Sequence, residues 1–355
     1  MSNCRFMVGS YASQDSNGIY CYELDTQAGT LQCLYTVSGV ENPSYILMHP
    51  NKKVLYAVEE RNPEGRVAVF VMENGHPQLL TSVSSQGADP CHLALDEKER
   101  FLTVANYTSG SLGMFRLDEL GIPICMTEHR QHEGHSIYKG RQEGPHVHFS
   151  KFVDTQLYVC DLGLDRIIRY ELDPWAGSLE KTGLDMETPK GCGPRHLTLH
   201  AAHPGMLYVI TEMGAEILVY QKETDTVQKV EDQKYKLVQR INLLPDGCDA
   251  NAVKLGMTGA AVKFTEDGNI LVASARIFNL IISFRVCENG ILERVQSVSC
   301  GGSMPRDFEI FEDHIVVANQ ESGNLSVIQI NTKSGELIKT EIETLIPKPS
   351  CILKV

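Results

Sequence analysis

The chain has 355 residues, of which 42% are hydrophobic and 22% charged, and its formal net charge is −13 at pH 7. The hydrophobic content suffices for a sizeable core. The acidic charge argues against sequence-independent binding to nucleic acid, because the phosphates would be repelled. No apolar stretch is long enough to cross a bilayer, and the N-terminal sequence MSNCRFMVGSY lacks the charged and apolar regions of a signal peptide. We therefore expect neither a nucleic-acid nor a membrane partner.

The eleven cysteines are scattered along the chain, with no CxxC pair and no zinc-site spacing. Several lie within strand-like runs, as Cys160 does in LYVCD. Buried thiols are typical of a reducing compartment, so we expect a cytoplasmic protein. The sequence has no P-loop and no strand-linked GxGxxG motif, and we expect no cofactor.

One sequence pattern recurs along the chain. It consists of an apolar run that often follows a proline, a turn, a second apolar run with a polar end, another turn and a third run. The six full copies span Pro43 to Met72, Pro90 to Leu117, Pro145 to Leu172, Pro194 to Tyr220, Gly259 to Val286 and Pro305 to Ile330. Such runs, bounded by Gly, Asp and Asn, predict strands joined by hairpins. Another short apolar run lies between copies, so each unit holds four strands at a spacing of roughly fifty residues.

The two ends of the chain supply a seventh unit. FMVGSY and GIYCYELD, near the N-terminus, predict a second and a third strand with no first strand before them. PSCILKV, from Pro349 to Val355, copies the first strand PSYILMH that begins at Pro43. The sequence therefore predicts an all-β fold with a single domain over residues 1–355. This domain is a seven-bladed β-propeller whose ring is closed by the N-terminal strands pairing with the C-terminal strand. A β-sandwich does not explain the period, and a solenoid repeat would be shorter.

Two positions can be compared from blade to blade. The first follows the proline that opens the first strand, and it is occupied in chain order by Ser44, Cys91, His146, Arg195, Arg306 and Ser350. A histidine and two arginines thus replace small residues. Arginine is costly to bury unpaired and binds anions through its fork of donors.

The second position is the end of the second strand. The pairs there are Glu59-Glu60, Asn106-Tyr107, Asp161-Leu162, Thr211-Glu212, Ala275-Arg276 and Asn319-Gln320. Glu212 and Arg276 are charged outliers beside Glu60. The first residue of each pair is mostly short and polar, which suits a turn. Asn106 and Asp161 are nevertheless candidates for substrate binding, as is His92 in PCHLAL.

Blade four adds a second histidine. In PHVH, His146 and His148 project to the same face of a strand. A metal held by this pair is an alternative, but no third ligand has a fitting spacing, so we expect no metal site.

These residues suit chemistry on a negatively charged ester or lactone. One arginine can hold the anion, and another can stabilise the oxyanion as water adds. A histidine or a glutamate can accept a proton from that water, and the choice between His148 and Glu212 stays open. No GxSxG elbow is present, so no serine nucleophile is expected.

The chain resembles the seven-bladed lactonase family, which contains the bacterial propeller-type 6-phosphogluconolactonases and the fungal 3-carboxy-cis,cis-muconate lactonizing enzyme. The matching phrases are VGSY, NPSYILMHP, PCHLAL, VANYTSGS, RQEGPHVH, YVCDLGLDRI, GPRHLTLH and PRDFEI with VANQESGN. The resemblance implies an active site of His148, Arg195, Glu212 and Arg276. It also implies a carboxylic-ester hydrolase of carbohydrate metabolism, in the pentose phosphate pathway, that acts on a small anionic lactone. We expect His146 and Arg306 to bind the substrate, and the protein to be a monomer or a weak homo-oligomer.

The sequence departs from the family in one blade. TGAAVKF, with Gly259 to Ala261, replaces a strand that usually carries an acidic residue, and Ile277 to Asn279 replace Gly-His-Asp. This part of the blade is more apolar than the resemblance implies. A lactonising isomerase, or a lactonase for another carboxylated lactone, is therefore an alternative. A second alternative is a non-catalytic binding propeller.

Overall fold

The computed structural model describes residues 3–223, 234–245, 247–248, 256 and 258–355. Within these ranges, twenty-nine β-strands form seven antiparallel sheets, which we call blades 1 to 7. No helix in the described residues is long and apolar enough to cross a membrane.

The blades are built from consecutive strands, with one exception at the chain ends. Blade 1 contains β1 (Asn3–Ser10), β2 (Ile19–Asp25) and β3 (Thr30–Val37), and its remaining strand is described below. Blade 2 contains β4 (Ile46–Met48), β5 (Val54–Glu59), β6 (Arg66–Glu73) and β7 (His76–Ser84). Blade 3 contains β8 (Pro90–Leu95), β9 (Phe101–Asn106), β10 (Ser111–Leu117) and β11 (Pro123–Gln131). Blade 4 contains β12 (Val147–Val153), β13 (Gln156–Asp161), β14 (Arg166–Asp173) and β15 (Ser178–Lys181), and the short β16 (Met186–Glu187) also pairs with β14.

The second half of the chain repeats this pattern. Blade 5 contains β17 (Pro194–Leu199), β18 (Met206–Thr211), β19 (Glu216–Lys222) and β20 (Tyr235–Asn242). Blade 6 contains β21 (Gly259–Phe264), β22 (Ile270–Ala275), β23 (Leu280–Val286) and β24 (Leu292–Ser299). Blade 7 contains β25 (Pro305–Phe311), β26 (His314–Asn319), β27 (Asn324–Ile330) and β28 (Leu337–Leu345). The C-terminal strand β29 (Pro349–Lys354) pairs with β1 and completes blade 1, which confirms the predicted use of the two chain ends.

Burial explains why the second strand of each blade is so apolar. All six residues are buried in β5, β9, β13, β18, β22 and β26. A strand covered on both faces needs a continuous apolar run rather than an alternating one. The outermost strand β20 instead alternates between half-buried and exposed residues, because only one of its faces is covered.

The chain divides into two compact units. Unit I comprises Arg5–Tyr22, Cys33–Gly191 and Leu353–Val355, and unit II comprises Met1–Cys4, Glu23–Gln32 and Cys192–Ile352. In unit I, apolar clusters lie between blades 2 and 3 and between blades 3 and 4. In unit II, equivalent clusters lie between blades 5 and 6 and between blades 6 and 7. Neighbouring sheets thus cover each other's faces within each unit, as repeated sheets must.

Candidate active site

A β-bulge marks the start of the first strand in five blades. The strand pairing skips Cys91 in blade 3, His148 in blade 4, Arg195 in blade 5, Ala260 and Ala261 in blade 6, and Arg306 in blade 7. A bulge leaves a residue out of the ladder and re-aims its side chain, and bulges are frequent beside active sites. The three large polar residues among the predicted candidates, a histidine and two arginines, therefore occupy one structural position.

A backbone hydrogen bond at the same place fixes this equivalence. The residue after the second strand donates its N–H to the carbonyl two residues before the bulge: Glu212 to Gly193 at 2.8 Å, Leu162 to His146 at 2.9 Å, and Gln320 to Met304 at 3.0 Å. The blades therefore pair His148 with Leu162, Arg195 with Glu212, and Arg306 with Gln320.

The alignment of the blades on their prolines was wrong in blade 4. That alignment made His146 the equivalent of Arg195, whereas the β-bulges show that His148 is its equivalent. The reason is that Pro145 lies two residues before β12, while Pro194 is itself the first residue of β17.

Within unit II, Arg195, Glu212 and Arg276 form one buried cluster. Arg195 Nε lies 3.1 Å from Glu212 Oε2, and Arg276 Nη2 lies 2.7 Å from the same oxygen. The three residues are only 2%, 3% and 2% exposed. A buried carboxylate shared by two guanidinium groups is held in one orientation, and it in turn fixes both arginines.

Backbone carbonyls of blade 6 each accept a hydrogen bond from one of the two arginines. Arg195 Nη1 donates to the carbonyl of Ala260 at 2.6 Å, and Arg276 Nη2 donates to the carbonyl of Gly259 at 3.1 Å. A Cβ on Gly259 would lie 2.3 Å from the carbonyl oxygen of Thr211, so only glycine allows this approach. The apolar sequence of this blade thus has a polar function, because its main chain supplies the hydrogen-bond acceptors.

Two guanidinium groups and one carboxylate meet in this cluster. Guanidinium donors held in a buried place can stabilise a group that becomes negative during a reaction.

In unit I, His148 and His146 lie against the same tyrosine. His148 is 5% exposed and meets the ring of Tyr107 edge-on, with the centroids 5.6 Å apart. His146 stacks on that ring at 4.5 Å, and its Nδ1 lies 3.0 Å from the Tyr107 carbonyl oxygen. Tyr107 follows the second strand of its blade and therefore occupies the position that Glu212 occupies in blade 5.

The predicted substrate-binding residue Arg306 is half-buried in unit II. Its Nη1 lies 3.3 Å from Gln320 Oε1, so it contacts the equivalent of Glu212 in its own blade. Gln320 is uncharged, whereas its equivalent in blade 5 is the carboxylate of Glu212.

The other predicted substrate-binding residues are engaged within unit I. Asn106 is buried and donates to the Ser85 carbonyl at 3.2 Å and to Ser111 Oγ at 3.1 Å. His92 packs between the rings of Tyr45 and Phe149, at 4.4 and 4.2 Å. These contacts fit a structural role.

Asp161 is also fully buried and hydrogen-bonded. Its Oδ1 accepts the N–H of His146 at 2.8 Å, and its Oδ2 lies 2.7 Å from Nδ1 of His132. His132 Nε2 lies 3.0 Å from the hydroxyl of Tyr170. Burial raises the pKa of Tyr170 to about 12, so the phenol keeps its proton at neutral pH. This chain of hydrogen bonds fits a scaffold, which is the alternative that the strand-end position indicates.

Sequence reasoning missed two residues near the histidines of unit I, Tyr107 and Arg141. Tyr107 is adjacent to Asn106 in the compared pair, and its aromatic character was the available signal. Arg141 begins the phrase RQEGPHVH but lies in a loop, where no repeat position draws attention to it. Across the described ranges, no group of three or more His, Cys, Asp or Glu side chains is placed to hold a metal ion.

The repeated antiparallel sheets, with one of them completed by the C-terminal strand, are the blades of a β-propeller. The family described as "Lactonase, 7-bladed beta-propeller" matches residues 5–354, and the chain belongs to this family. This confirms the predicted fold class.

Individual relatives agree with this assignment. The 6-phosphogluconolactonase of Bacillus subtilis is 30% identical over 352 residues, which cover 97% of this chain and 96% of the relative. The 6-phosphogluconolactonase of Formosa agariphila is 29% identical, with 96% of each chain covered. The solved structure of the periplasmic gluconolactonase of Pseudomonas aeruginosa superposes with a TM-score of 0.89 at 26% identity, covering 100% of this chain and 99% of the other.

Proposed function

We propose that the protein hydrolyses a phosphorylated sugar lactone of the 6-phosphogluconolactone type. The observation that carries this proposal is the buried Arg195–Glu212–Arg276 cluster, in which two guanidinium groups are fixed on one carboxylate. Hydrolysis of a lactone creates negative charge on the carbonyl oxygen, and buried, pre-oriented donors stabilise that charge strongly. The names of the Bacillus subtilis and Formosa agariphila relatives support the phosphorylated substrate.

Arg195 and Arg276 polarise the lactone carbonyl in this proposal. Water adds to the carbonyl carbon, the C–O bond of the ring breaks, and the ring oxygen leaves as a hydroxyl group. Each arginine is fixed by a carboxylate and a backbone carbonyl, so little reorganisation is needed as the oxyanion forms.

We assign water activation to His148 rather than to Glu212. Both arginines engage Oε2 of Glu212, and a carboxylate held by two cations is a weak proton acceptor. Glu212 is therefore a positioning residue. His148 occupies the bulge of its blade, and an imidazole can take a proton from water and return it to the leaving oxygen.

Arg306 and His146 bind the substrate in this scheme. Arg306 is half-buried and contacts Gln320, and its guanidinium group offers several donors that can bind oxygen atoms of the sugar. His146 is held by its contacts with Tyr107 and can meet hydroxyl groups of the sugar.

A second candidate function is a lactonising isomerase, or a lactonase for another carboxylated lactone. The small side chains of Gly259, Ala260 and Ala261 in blade 6 favour a less polar substrate than a sugar phosphate. Substrate tests separate the two, since a carboxylated lactone would then be turned over and the sugar phosphate would not. A non-catalytic propeller would turn over neither.

The experiment measures hydrolysis of freshly generated 6-phosphoglucono-δ-lactone, corrected for spontaneous opening. Wild type is compared with Arg195→Ala and Glu212→Ala, and with Arg240→Ala as a matched control. Arg240 lies in the same blade and also pairs with a glutamate, Glu216 at 2.8 Å, but its side chain is 57% exposed. We expect activity in the wild type and the control and a large loss in the other two variants. Absence of activity above background in the wild type would reject the sugar-phosphate substrate.

We also propose that the protein acts in the cytoplasm. All eleven cysteines are thiols in the structure, and six are buried. A chain rich in thiols is suited to a reducing compartment.

A further inference from the structure

The loop before β12 in blade 4 is fixed at both ends by one buried aspartate. This loop spans residues 132–146, between β11 and β12. Asp161 binds Nδ1 of His132 at its start through one carboxylate oxygen and the N–H of His146 at its end through the other. A loop of this length with both ends held by the same side chain has little freedom to move.

A second buried aspartate fixes the middle of the loop. Asp165 Oδ1 accepts from Nε2 of Gln142 at 2.8 Å, and its Oδ2 accepts from the hydroxyl of Ser136. Gly163 completes the anchorage, because a Cβ there would lie 2.0 Å from the carbonyl oxygen of Gly144. Arg141 is adjacent to Gln142 and is therefore held in place by these contacts.

Arg141 differs from the other charges of the loop. Lys139 and Glu143 are exposed, whereas Arg141 is half-buried. Its Nη2 donates to the hydroxyl of Tyr107 at 3.4 Å. The ring of Tyr107 contacts His146 and His148 as described above. One tyrosine therefore links the guanidinium group of the loop to the two histidines.

The order of these groups suits a six-carbon substrate with a terminal phosphate. His148 contacts the ring of Tyr107 and Arg141 donates to the hydroxyl of the same residue, so Tyr107 links the imidazole to the guanidinium. A phosphorylated six-carbon lactone likewise has its carbonyl group and its phosphate at opposite ends of the molecule. Guanidinium groups bind phosphate oxygens in a bidentate manner.

We propose that Arg141, held by the anchored loop and oriented by Tyr107, binds the phosphate of the lactone and sets the preference for phosphorylated over unphosphorylated substrate. This inference rests on the proposed function, since it names the residue that recognises one end of that substrate. It requires no movement of the loop, because the aspartates already hold it.

The test compares 6-phosphoglucono-δ-lactone with glucono-δ-lactone. For Arg141→Met we expect KM for the phosphorylated lactone to rise about tenfold to hundredfold, which corresponds to the loss of a charge-assisted hydrogen bond. We expect kcat for this substrate, and both constants for glucono-δ-lactone, to stay within twofold of wild type. Tyr107→Phe removes the hydroxyl and keeps the ring, so a smaller rise in the same KM is expected.

Lys139→Met is the matched control, because it removes a positive charge from the same loop at an exposed position. It should leave both substrates unaffected. An equal loss for both lactones in Arg141→Met would give Arg141 a purely structural role and overturn the inference, as would no change for either.

Binding of the product separates this inference from the proposed function. Calorimetric titration of 6-phosphogluconate and of gluconate into wild type and Arg141→Met does not depend on turnover. If the wild type hydrolyses neither lactone, the proposed function fails. The inference then stands only if 6-phosphogluconate binds the wild type at least about tenfold more tightly than it binds Arg141→Met. No binding to the wild type, or equal binding to both proteins, overturns it.

Discussion

Arg195 and Arg276 donate to the same oxygen of Glu212, at 3.1 and 2.7 Å. They come from different blades, one from the bulge of β17 and the other from the end of β22. The geometry of each therefore depends on the other through the shared carboxylate. Residues in one ion-pair network are expected to act as a unit.

The first prediction is that the effects of removing the two arginines are not additive. Arg195→Ala and Arg276→Ala should each lower kcat/KM by about a hundredfold or more, because each removes a donor to the oxyanion. The double variant should lose far less than the product of the two effects, since the first substitution already misplaces the second arginine. The measurement is kcat/KM for the four proteins of the cycle. Strictly multiplicative losses would show that the arginines work independently.

The second prediction concerns the stability of the cluster. Glu212→Gln removes the negative charge that both buried guanidinium groups share. We expect the free energy of unfolding, measured by urea denaturation, to fall by about 3–5 kcal/mol. A large loss of kcat should accompany it. Glu216→Gln is the control and should cost much less, because its partner Arg240 is exposed to water. A stable but inactive Glu212→Gln would assign Glu212 a purely chemical role.

Most of the fold could be predicted because each blade repeats one burial pattern. The predicted copies that start at Pro90, Pro194, Gly259 and Pro305 coincide with the first residues of β8, β17, β21 and β25. A doubly covered second strand requires an apolar run of fixed length, and that requirement recurs in blades 2 to 7. The pairing of β29 with β1 followed from the incomplete repeats at the two ends.

The candidate site could be predicted only in part, because side-chain direction depends on bulges that leave no clear trace in the sequence. The blade comparison singled out Arg195, Glu212 and Arg276, and the structure brings these three together. It did not identify His148 as the equivalent of Arg195, because the proline of blade 4 is displaced. Nor could it find Arg141, whose position depends on hydrogen bonds to aspartates that follow it by about twenty residues or more.

The third prediction separates scaffold from substrate binding at Asp161. Both of its carboxylate oxygens accept hydrogen bonds from the loop 132–146, one from His146 and one from His132. Asp161→Asn should therefore destabilise the protein by about 2 kcal/mol, because a hydrogen bond to a charged group is lost. Kinetics with glucono-δ-lactone, which has no phosphate for the loop to bind, provide the check at a temperature where the variant is folded, and we expect KM for this substrate to change by less than about threefold. A rise in KM without loss of stability would restore Asp161 to the substrate-binding residues.

The fourth prediction is a pH profile that identifies the general base. If His148 takes the proton from water, the activity of wild type falls as the pH is lowered and the imidazole becomes protonated. His148→Gln should lose about a hundredfold or more in kcat, and its residual activity should no longer fall as the pH is lowered. The measurement is kcat/KM across the acidic and neutral pH range for both proteins. Gln320→Ala is the control and should keep the decrease of kcat/KM at acidic pH. If that decrease persists in His148→Gln, another group is the base.

The fifth prediction follows from a buried carboxylate at the bulge of blade 7. Asp307 binds Nζ of Lys263 at 3.2 Å and accepts the N–H of Ile352 at 2.8 Å. Burial raises the pKa of this carboxyl group despite the opposing effect of Lys263. The folded protein therefore binds the proton more strongly than the unfolded chain. The contribution of Asp307 to stability is fully present below its unfolded pKa and is lost as the pH rises through the folded pKa.

The sign of this effect can be measured with Asp307→Asn, which stays neutral at every pH and keeps an oxygen that can accept from Ile352. The free energy of unfolding of the variant minus that of wild type should increase from about pH 4 to about pH 7, because only wild type loses the contribution of the protonated carboxyl group. Urea denaturation at both pH values gives the four numbers that are needed. Asp15→Asn, at an exposed aspartate, should show little change in this difference. A difference that decreases with pH would mean that the ion pair with Lys263 outweighs burial, so that the carboxylate stabilises the fold in its charged form.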